Sequence, residues 1–330
     1  MHYMRQIYRP LCIVLFLGCL ASVCFFQTGP AWATTRAGAL SMWQGDVKEP
    51  LVDFIFDVST PGNPDFIPTE DRLAVFDMDG TLLSEKPNYF VYDVAIHYLN
   101  EHGDEISEKG PEYKALCDAA RNHDYPYFWK HLADAFALPF EGKTYTFYRD
   151  YCRQVFETAI NPEKKRPLKD MVIAPMIQLI DLLQEREFKV FVVSGSLQFC
   201  IMAISEKYLH VDKSHCIGSM VVATLEKDGK RTVFKRGKLS PPPNLKEGKA
   251  MRIMMRTGQA PVLAMGNSGG DAWMLGFTAT SPYRTFTGII DHDDPREFIY
   301  HKDKLLKLAK EAGWAIISMK ENFKTIYGDK

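Results

Sequence analysis

Three short apolar runs punctuate the chain, at residues 73–76, 189–193 and 261–265, and none of them alternates between apolar and polar positions. Runs of β-branched, aliphatic and aromatic residues without alternation predict parallel strands covered on both faces. Each run stops at a cluster of small and polar residues: Asp77-Met78-Asp79-Gly80-Thr81, Ser194-Gly195-Ser196 and Gly266-Asn267-Ser268-Gly269-Gly270-Asp271. Every cluster falls where a strand gives way to a loop, and in open α/β sheets that carboxyl edge is where ligands bind. More than a hundred residues separate the first two runs, with helical spacing at 90–102, 113–121 and 147–157. That is too much chain for one crossover helix and predicts an inserted helical domain. Residues 171–187 have the apolar spacing of a helix that returns the chain to the sheet. Further on, 220–225 and 232–235 predict a hairpin turned at Asp228-Gly229, and 286–290 and 315–319 a last strand pair. The predicted fold class is α/β, with a core built from 34–84 and 188–330 and a helical insertion over 85–187.

Residues 1–33 stand outside this pattern. Arg5 and Arg9 precede an apolar stretch at 11–26, and Gly29-Pro30 breaks it just before Ala31-Trp32-Ala33. This is the layout of an export signal cleaved after Ala33, so the mature chain is expected to begin at Thr34 and to have no stable membrane association. An uncleaved N-terminal anchor is the alternative, because the stretch is slightly long for a signal. A lipoprotein site at Cys19 is poorly matched by Phe16-Leu17-Gly18. Four cysteines remain beyond Ala33, namely Cys117, Cys152, Cys200 and Cys216, and none forms a C-x-x-C pair. Zinc-knuckle and thioredoxin-like chemistry are therefore unsupported, while one disulfide and buried free thiols stay equally open.

Composition narrows the function classes. The 330 residues are 46% hydrophobic and 25% charged, with 40 Lys and Arg against 41 Asp and Glu. This is globular composition, not that of a fibrous, disordered or multi-span membrane protein. No basic footprint for nucleic acid is present, which moves small-molecule chemistry forward.

Two aspartates after a strand usually make no more than a turn. Here they open an ordered series, with Asp77 and Asp79 after the first run, Ser194 after the second, then Lys249, and finally the cluster from Asn267 to Asp271. These residue types suit phosphoryl transfer, which needs a nucleophile, a proton donor, a cation and fixed donors for spread negative charge. In order and strand context the series resembles the haloacid dehalogenase-like superfamily of aspartate-nucleophile phosphatases, over residues 73–290. The likeness extends to exported members of its phosphoserine phosphatase-like branch. It implies a Rossmann-like parallel-sheet core with an inserted helical cap of the C1 type. It also implies Asp77 as nucleophile and Asp79 as general acid and base. Thr81, Ser194, Gly195 and Lys249 would hold the phosphoryl group, and Asp77, the Asp79 backbone carbonyl, Asn267 and Asp271 would hold Mg²⁺. Lys246 is the nearby rival to Lys249.

The sequence departs from the common pattern in having Gly266-Asn267 where Gly-Asp is usual, which leaves open whether Asn267 or Asp271 is the direct metal ligand. Asp291-His292-Asp293-Asp294 reads as a solvated acidic loop at the rim, ahead of a second metal site. The expected activity is an exported, Mg²⁺-dependent hydrolysis of small phosphomonoesters. The alternatives are a phosphotransferase using the same intermediate and a catalytically lapsed binding protein, while a dehalogenase has no need of Asp79. The aromatic supply of the insertion (Tyr89, Tyr92, Tyr125, Tyr127, Phe128, Trp129, Tyr145, Phe147, Tyr148 and Tyr151) points to a phosphocholine- or phosphoserine-like substrate with a cationic group.

Overall fold

The computed structural model describes residues 34–328. The expected export signal, with Cys12, Cys19 and Cys24, lies outside the described residues. Seven strands form one sheet: β1 (Leu73–Phe76), β2 (Lys189–Leu197), β3 (Cys216–Asp228), β4 (Arg231–Ser240), β5 (Leu263–Gly266), β6 (Phe286–Asp291) and β7 (Ala315–Ser318). Their order is β4-β3-β2-β1-β5-β6-β7. All neighbours run parallel except β3 and β4, which form the hairpin. The chain leaves β1 toward β2 on one side and reaches β5 on the other, so the end of β1 is a switch point in the strand order, where a crevice opens.

The missing alternation of β1 has a direct physical cause. Leu73 and Val75 face one apolar cluster with Phe191, Val193, Ala264 and Ile289, whereas Ala74 and Phe76 face another with Val190, Val192, Leu263 and Met265. Successive strand side chains point to opposite faces, and both faces here are covered, so every position is apolar. Each fully buried Leu, Val or Phe contributes about 1.5–3 kcal/mol over exposure.

Helices cover both faces. α1 (Gly45–Ser59), which the hydrophobic pattern did not single out, precedes the sheet. Between β1 and β2 run α2 (Phe90–Ser107), α3 (Pro111–Arg121), α4 (Tyr125–Lys130), α5 (Leu132–Ala137) and α6 (Tyr145–Thr158), followed by α7 (Ala174–Glu185). After β2 come α8 (Gln198–Tyr208), α9 (Glu247–Thr257), α10 (Ala272–Thr278), α11 (Asp303–Ala312) and α12 (Met319–Asn322). Ile253 of α9, Leu275 of α10 and Leu305 of α11 pack on one face, and the inserted helices share the cluster on the other. The outer edge of β4 is tied to the insertion, since Arg236 N–H donates to the Lys143 carbonyl and Gly142 N–H to that of Arg236, both at 2.9 Å.

Some boundaries moved. The hairpin is longer than its alternating stretch, pairing Met220 with Ser240 through to Asp228 with Arg231, so that it turns at Gly229-Lys230 and not at Asp228-Gly229, while the first part of β3 pairs with β2. Ser194-Gly195-Ser196, expected in a loop, continues β2 through an irregular register between Val193 and Leu197. Cys117, Cys152, Cys200 and Cys216 are buried free thiols. Among the described residues, no helix is long and apolar enough to cross a membrane.

Candidate active site

The polar clusters after β1, β2 and β5 meet beneath a cavity of about 400 Å³. Asp77 stays in sheet register beyond the end of β1, its N–H bonded to the Met265 carbonyl at 2.9 Å. Gly80 turns the chain with φ of +81°, a conformation that favours glycine. A Cβ there would lie 1.8 Å from Asn267 Nδ2, so close approach of the two loops also requires glycine.

Lys249 arrives from the first turn of α9. Asn244 seats the preceding loop by donating through Nδ2 to the carbonyls of Ser194 (2.8 Å) and Ile217 (3.1 Å). Gly248 lies so near the Pro243 carbonyl that a Cβ would be 2.7 Å from its oxygen. The Lys249 ammonium donates to Asp77 Oδ1 at 2.5 Å and to Asp271 Oδ1 at 2.6 Å. Lys246, the rival, lines the cavity without reaching either carboxylate. Asp271 is fully engaged, because Oδ2 accepts from the N–H of Asn267 (3.1 Å) and from the N–H (2.9 Å) and hydroxyl (2.8 Å) of Ser268.

Asp79 faces the second cluster. Its Oδ2 accepts from Ser196 Oγ at 2.8 Å and from Ser194 Oγ at 3.3 Å, and Oδ1 accepts from Phe90 N–H at 3.3 Å. Ser196 is a site residue that the motif reading passed over, although its place two residues beyond Ser194 put it on the same strand face. Gly195 lines the cavity. Thr81 is fully buried, outside the cavity lining, and its hydroxyl has no partner.

Burial governs the electrostatics. It pushes Asp77 up to about 8, aided by the charge of Asp271 and opposed by Lys249. Burial also pushes Asp79 up to about 6, against the hydrogen bonds from Ser196 and Phe90. For Asp271 burial acts upward too, but Lys249 and the bonds from Ser268 and Asn267 hold its carboxyl below the usual range. The Lys249 ammonium loses solvation, yet Asp271 and Asp77 raise it above its ordinary value.

Three carboxyl groups thus meet one ammonium in a buried site, and a divalent cation there would favour the ionised forms of Asp77 and Asp79. Asn267 Oδ1 is buried without a hydrogen-bond partner, an acceptor left for such an ion. The donor set of Asp77, the Asp79 carbonyl, Asn267 and Asp271 is all hard oxygen, which is what Mg²⁺ prefers. Among the described residues no group of three or more His, Cys, Asp or Glu side chains forms a metal cage.

The segment read as a solvated acidic loop is mostly inside the protein. His292 and Asp294 are buried. Asp294 pairs with Arg296, and Asp293 accepts from Ser318 Oγ and Lys320 N–H. Charged residues after a strand read as solvated because their partners lie up to 27 positions away. Glu85, Tyr89 and Lys302 also line the cavity, with Lys302 Nζ 3.0 Å from Glu85 Oε1. No local motif marked Glu85 or Lys302, whereas Tyr89 is one of the aromatic residues noted in the insertion.

Comparison with curated proteins finds no match. Among solved structures, a protein with unknown function from Bordetella pertussis Tohama I is 16% identical, with 74% of this chain and 97% of that chain covered and a TM-score of 0.51. A functionally unknown protein from Anaerococcus prevotii is 15% identical, covering 83% of this chain and 92% of its own, with a TM-score of 0.52. A phosphoserine phosphohydrolase-like protein from Francisella tularensis, at 15% identity, covers 74% and 94% with a TM-score of 0.41. The first two likenesses are of fold. The family profile of haloacid dehalogenase-like hydrolases matches residues 74–275, from β1 through the Asn267–Asp271 cluster. With the mostly parallel sheet and the Asp77, Asp79, Lys249 and Asp271 constellation at its carboxyl edge, the chain belongs to the haloacid dehalogenase-like hydrolase family.

Proposed function

We propose that the protein is an exported, Mg²⁺-dependent phosphatase of small phosphomonoesters, with residues 85–187 acting as a cap over the core. The observation that carries the reading is the division of labour between two neighbouring carboxylates. Asp77 is bonded to a buried lysine, while Asp79 is held by two serine hydroxyls and the Phe90 N–H. The export component rests on the N-terminal pattern ending at Ala33.

In this reading the Asp77 carboxylate attacks phosphorus, and the aspartyl-phosphate bond forms as the bond to the ester oxygen breaks. Lys249 offsets the negative charge that gathers on Asp77 and the phosphoryl oxygens. Asp79 gives its proton to the leaving oxygen, which departs as the alcohol. As a carboxylate, it then takes a proton from the water that attacks the intermediate, releasing phosphate and restoring Asp77. Ser194 Oγ and the Ser194-Gly195-Ser196 backbone line the place where a phosphoryl oxygen would rest. Mg²⁺ held by Asp77, the Asp79 carbonyl, Asn267 and Asp271 would supply further neutralisation of the phosphoryl group.

Of the ten aromatic residues noted in the insertion, Tyr89 and Tyr92 line the cavity, joined by Phe136, with the buried Glu85 carboxylate beside them. Tyr148 and Phe128 are buried in the helical packing instead. Glu85 is already paired with Lys302, so it is the three aromatic side chains that favour an ammonium-bearing ester such as phosphocholine, phosphoethanolamine or phosphoserine, with cation–π contacts worth about 0.5–2 kcal/mol each.

The test is turnover of p-nitrophenyl phosphate with Mg²⁺ or with chelator. Wild type should turn over only with Mg²⁺, and Asp77→Asn should lose activity by at least about 10³-fold while keeping its fold. Activity retained by Asp77→Asn refutes the mechanism. A kcat/KM for phosphocholine about tenfold above that for a neutral alkyl phosphate is expected. No preference for the cation removes the aromatic pocket from the argument and leaves the catalytic assignment in place.

A further inference from the structure

We infer that His292, steadied by Glu297, is a positioning residue that clamps the backbone immediately after the catalytic carboxylate Asp79. β6 ends at Asp291, and its register beside β5 (Gly266↔Ile289) brings the next residue against the Asn267 loop and the Gly80 turn. His292 is buried and does not line the cavity, so any effect on chemistry runs through other groups. Its Nε2 lies 2.8 Å from the Gly80 carbonyl oxygen. A carbonyl only accepts, so Nε2 carries the proton and donates. On the other side of the ring Nδ1 lies 3.0 Å from Glu297 Oε2, a contact that requires a second proton between the two atoms, and the same oxygen also accepts from Phe298 N–H at 2.5 Å. Tyr300 stacks on the ring, centroids 4.3 Å apart and planes 19° from parallel, and its N–H donates to the His292 carbonyl at 2.9 Å. The imidazole is therefore fixed in rotation, tilt and proton position by groups from its own loop.

A clamp is needed at this point because of what Gly80 is. Without a Cβ its peptide planes have wide freedom, and they are set by hydrogen bonds. Gly80 N–H donates to the Leu83 carbonyl at 2.7 Å, which orients the peptide that joins Asp79 to Gly80. In a trans peptide the carbonyl points opposite to the N–H, so this bond aims the Asp79 carbonyl, a candidate metal donor, away from Leu83. His292 does the same for the next peptide, whose N–H, that of Thr81, donates to the Met78 carbonyl at 3.1 Å. Asn267 Nδ2 lies 3.5 Å from His292 Nε2, a contact and not a hydrogen bond since both atoms carry protons, so the ring packs against both loops that carry site residues.

The kinetic consequence rests on the phosphatase reading, while the clamp itself does not. The variants are His292→Leu, which fills the space without a donor, and His292→Gln, whose amide N–H can reach the carbonyl. For His292→Leu, kcat should fall by about 10²-fold, the scale of a misplacement near 1 Å. The loss should be larger for an alkyl phosphate than for p-nitrophenyl phosphate, because the poorer leaving group depends on Asp79 for its proton. KM should change little, and His292→Gln should recover most of the loss. Hydrogen exchange of the Gly80 and Thr81 amides should quicken in His292→Leu, while that of Val75 and Ala264 inside β1 and β5 stays slow. Unchanged kcat, or a loss equal for both esters with exchange accelerated evenly across the sheet, overturns the inference. A wild-type protein that hydrolyses no phosphate ester overturns the phosphatase reading, and the exchange of Gly80 and Thr81 alone then decides the clamp. Should His292→Leu fail to fold, Glu297→Ala decides. Reduced kcat with faster Gly80 exchange supports the clamp, and wild-type values for both overturn it.

Discussion

Ser196→Ala isolates the group that tunes Asp79. The hydroxyl donates to Asp79 Oδ2 at 2.8 Å and opposes the burial that lifts this carboxyl to about 6. A hydrogen bond to a charged group contributes about 1.5–3 kcal/mol, and one pKa unit corresponds to about 1.4 kcal/mol. Loss of the bond would thus raise Asp79 by about one to two units. Ser194 Oγ, 3.3 Å from the same oxygen, offsets part of the loss and places the expectation near the lower end, about one unit. The sign follows from the proposed roles. In that mechanism Asp79 is protonated to serve the leaving group, so the alkaline limb of kcat moves to higher pH in the variant. The acid limb, where Asp79 must be ionised to activate water, moves the same way. The assay is kcat against pH for an alkyl phosphate at saturating Mg²⁺, read from the position of the limbs, not their height. Stability gives a second readout in chelator. A carboxyl raised above its unfolded value costs stability as pH climbs from the unfolded value to the folded one, and the cost then levels off. The variant extends that decline by about one unit, so its deficit of about 1.4 kcal/mol should appear in urea denaturation at pH 8 and be small at pH 5. Limbs that stay in place or shift to lower pH refute the assignment.

Two further substitutions probe the rest of the site. Lys249→Met removes the cation between Asp77 and Asp271, leaves the buried Asp271 carboxylate uncompensated, and should cost about 3–5 kcal/mol in urea denaturation at pH 8. Adding Asp271→Asn should recover part of that, and no recovery argues against the charge explanation. Asn267→Asp places a carboxylate at the unpartnered acceptor, and calorimetric titration with MgCl₂ should show affinity raised by about tenfold. Equal or weaker binding removes Asn267 from the ion's donor set.

Much of the architecture was legible because its causes are local. The runs at β1, β2 and β5 are apolar at every position since both faces of the sheet are covered, and the covering helices carry the matching spacing. The polar clusters were legible as an abrupt end of each apolar run, although most of their residues stay buried and Ser194-Gly195-Ser196 continues β2. α1 escaped notice although Leu51, Phe54, Ile55 and Val58 are buried along it. Its glycine start and internal Pro50 blur the helical signal.

Partnership across the sheet edge was decided by tertiary structure. The sequence order of Asp77, Ser194, Lys249 and Asp271 marked the site, but that one ammonium lies between two carboxylates 172 and 22 positions away depends on β1 and β5 being neighbours and on α9 reaching over them. The same holds for Ser196 as the nearer hydroxyl on Asp79, for Tyr89 and Tyr92 among ten aromatic residues, and for His292 beneath the Gly80 turn, 212 positions from its partner. Periodicity records which side of an element is buried, because burial acts on each residue through solvent. It carries no record of which group stands opposite, because that is set by strand order and loop geometry, and there the sequence by itself stops.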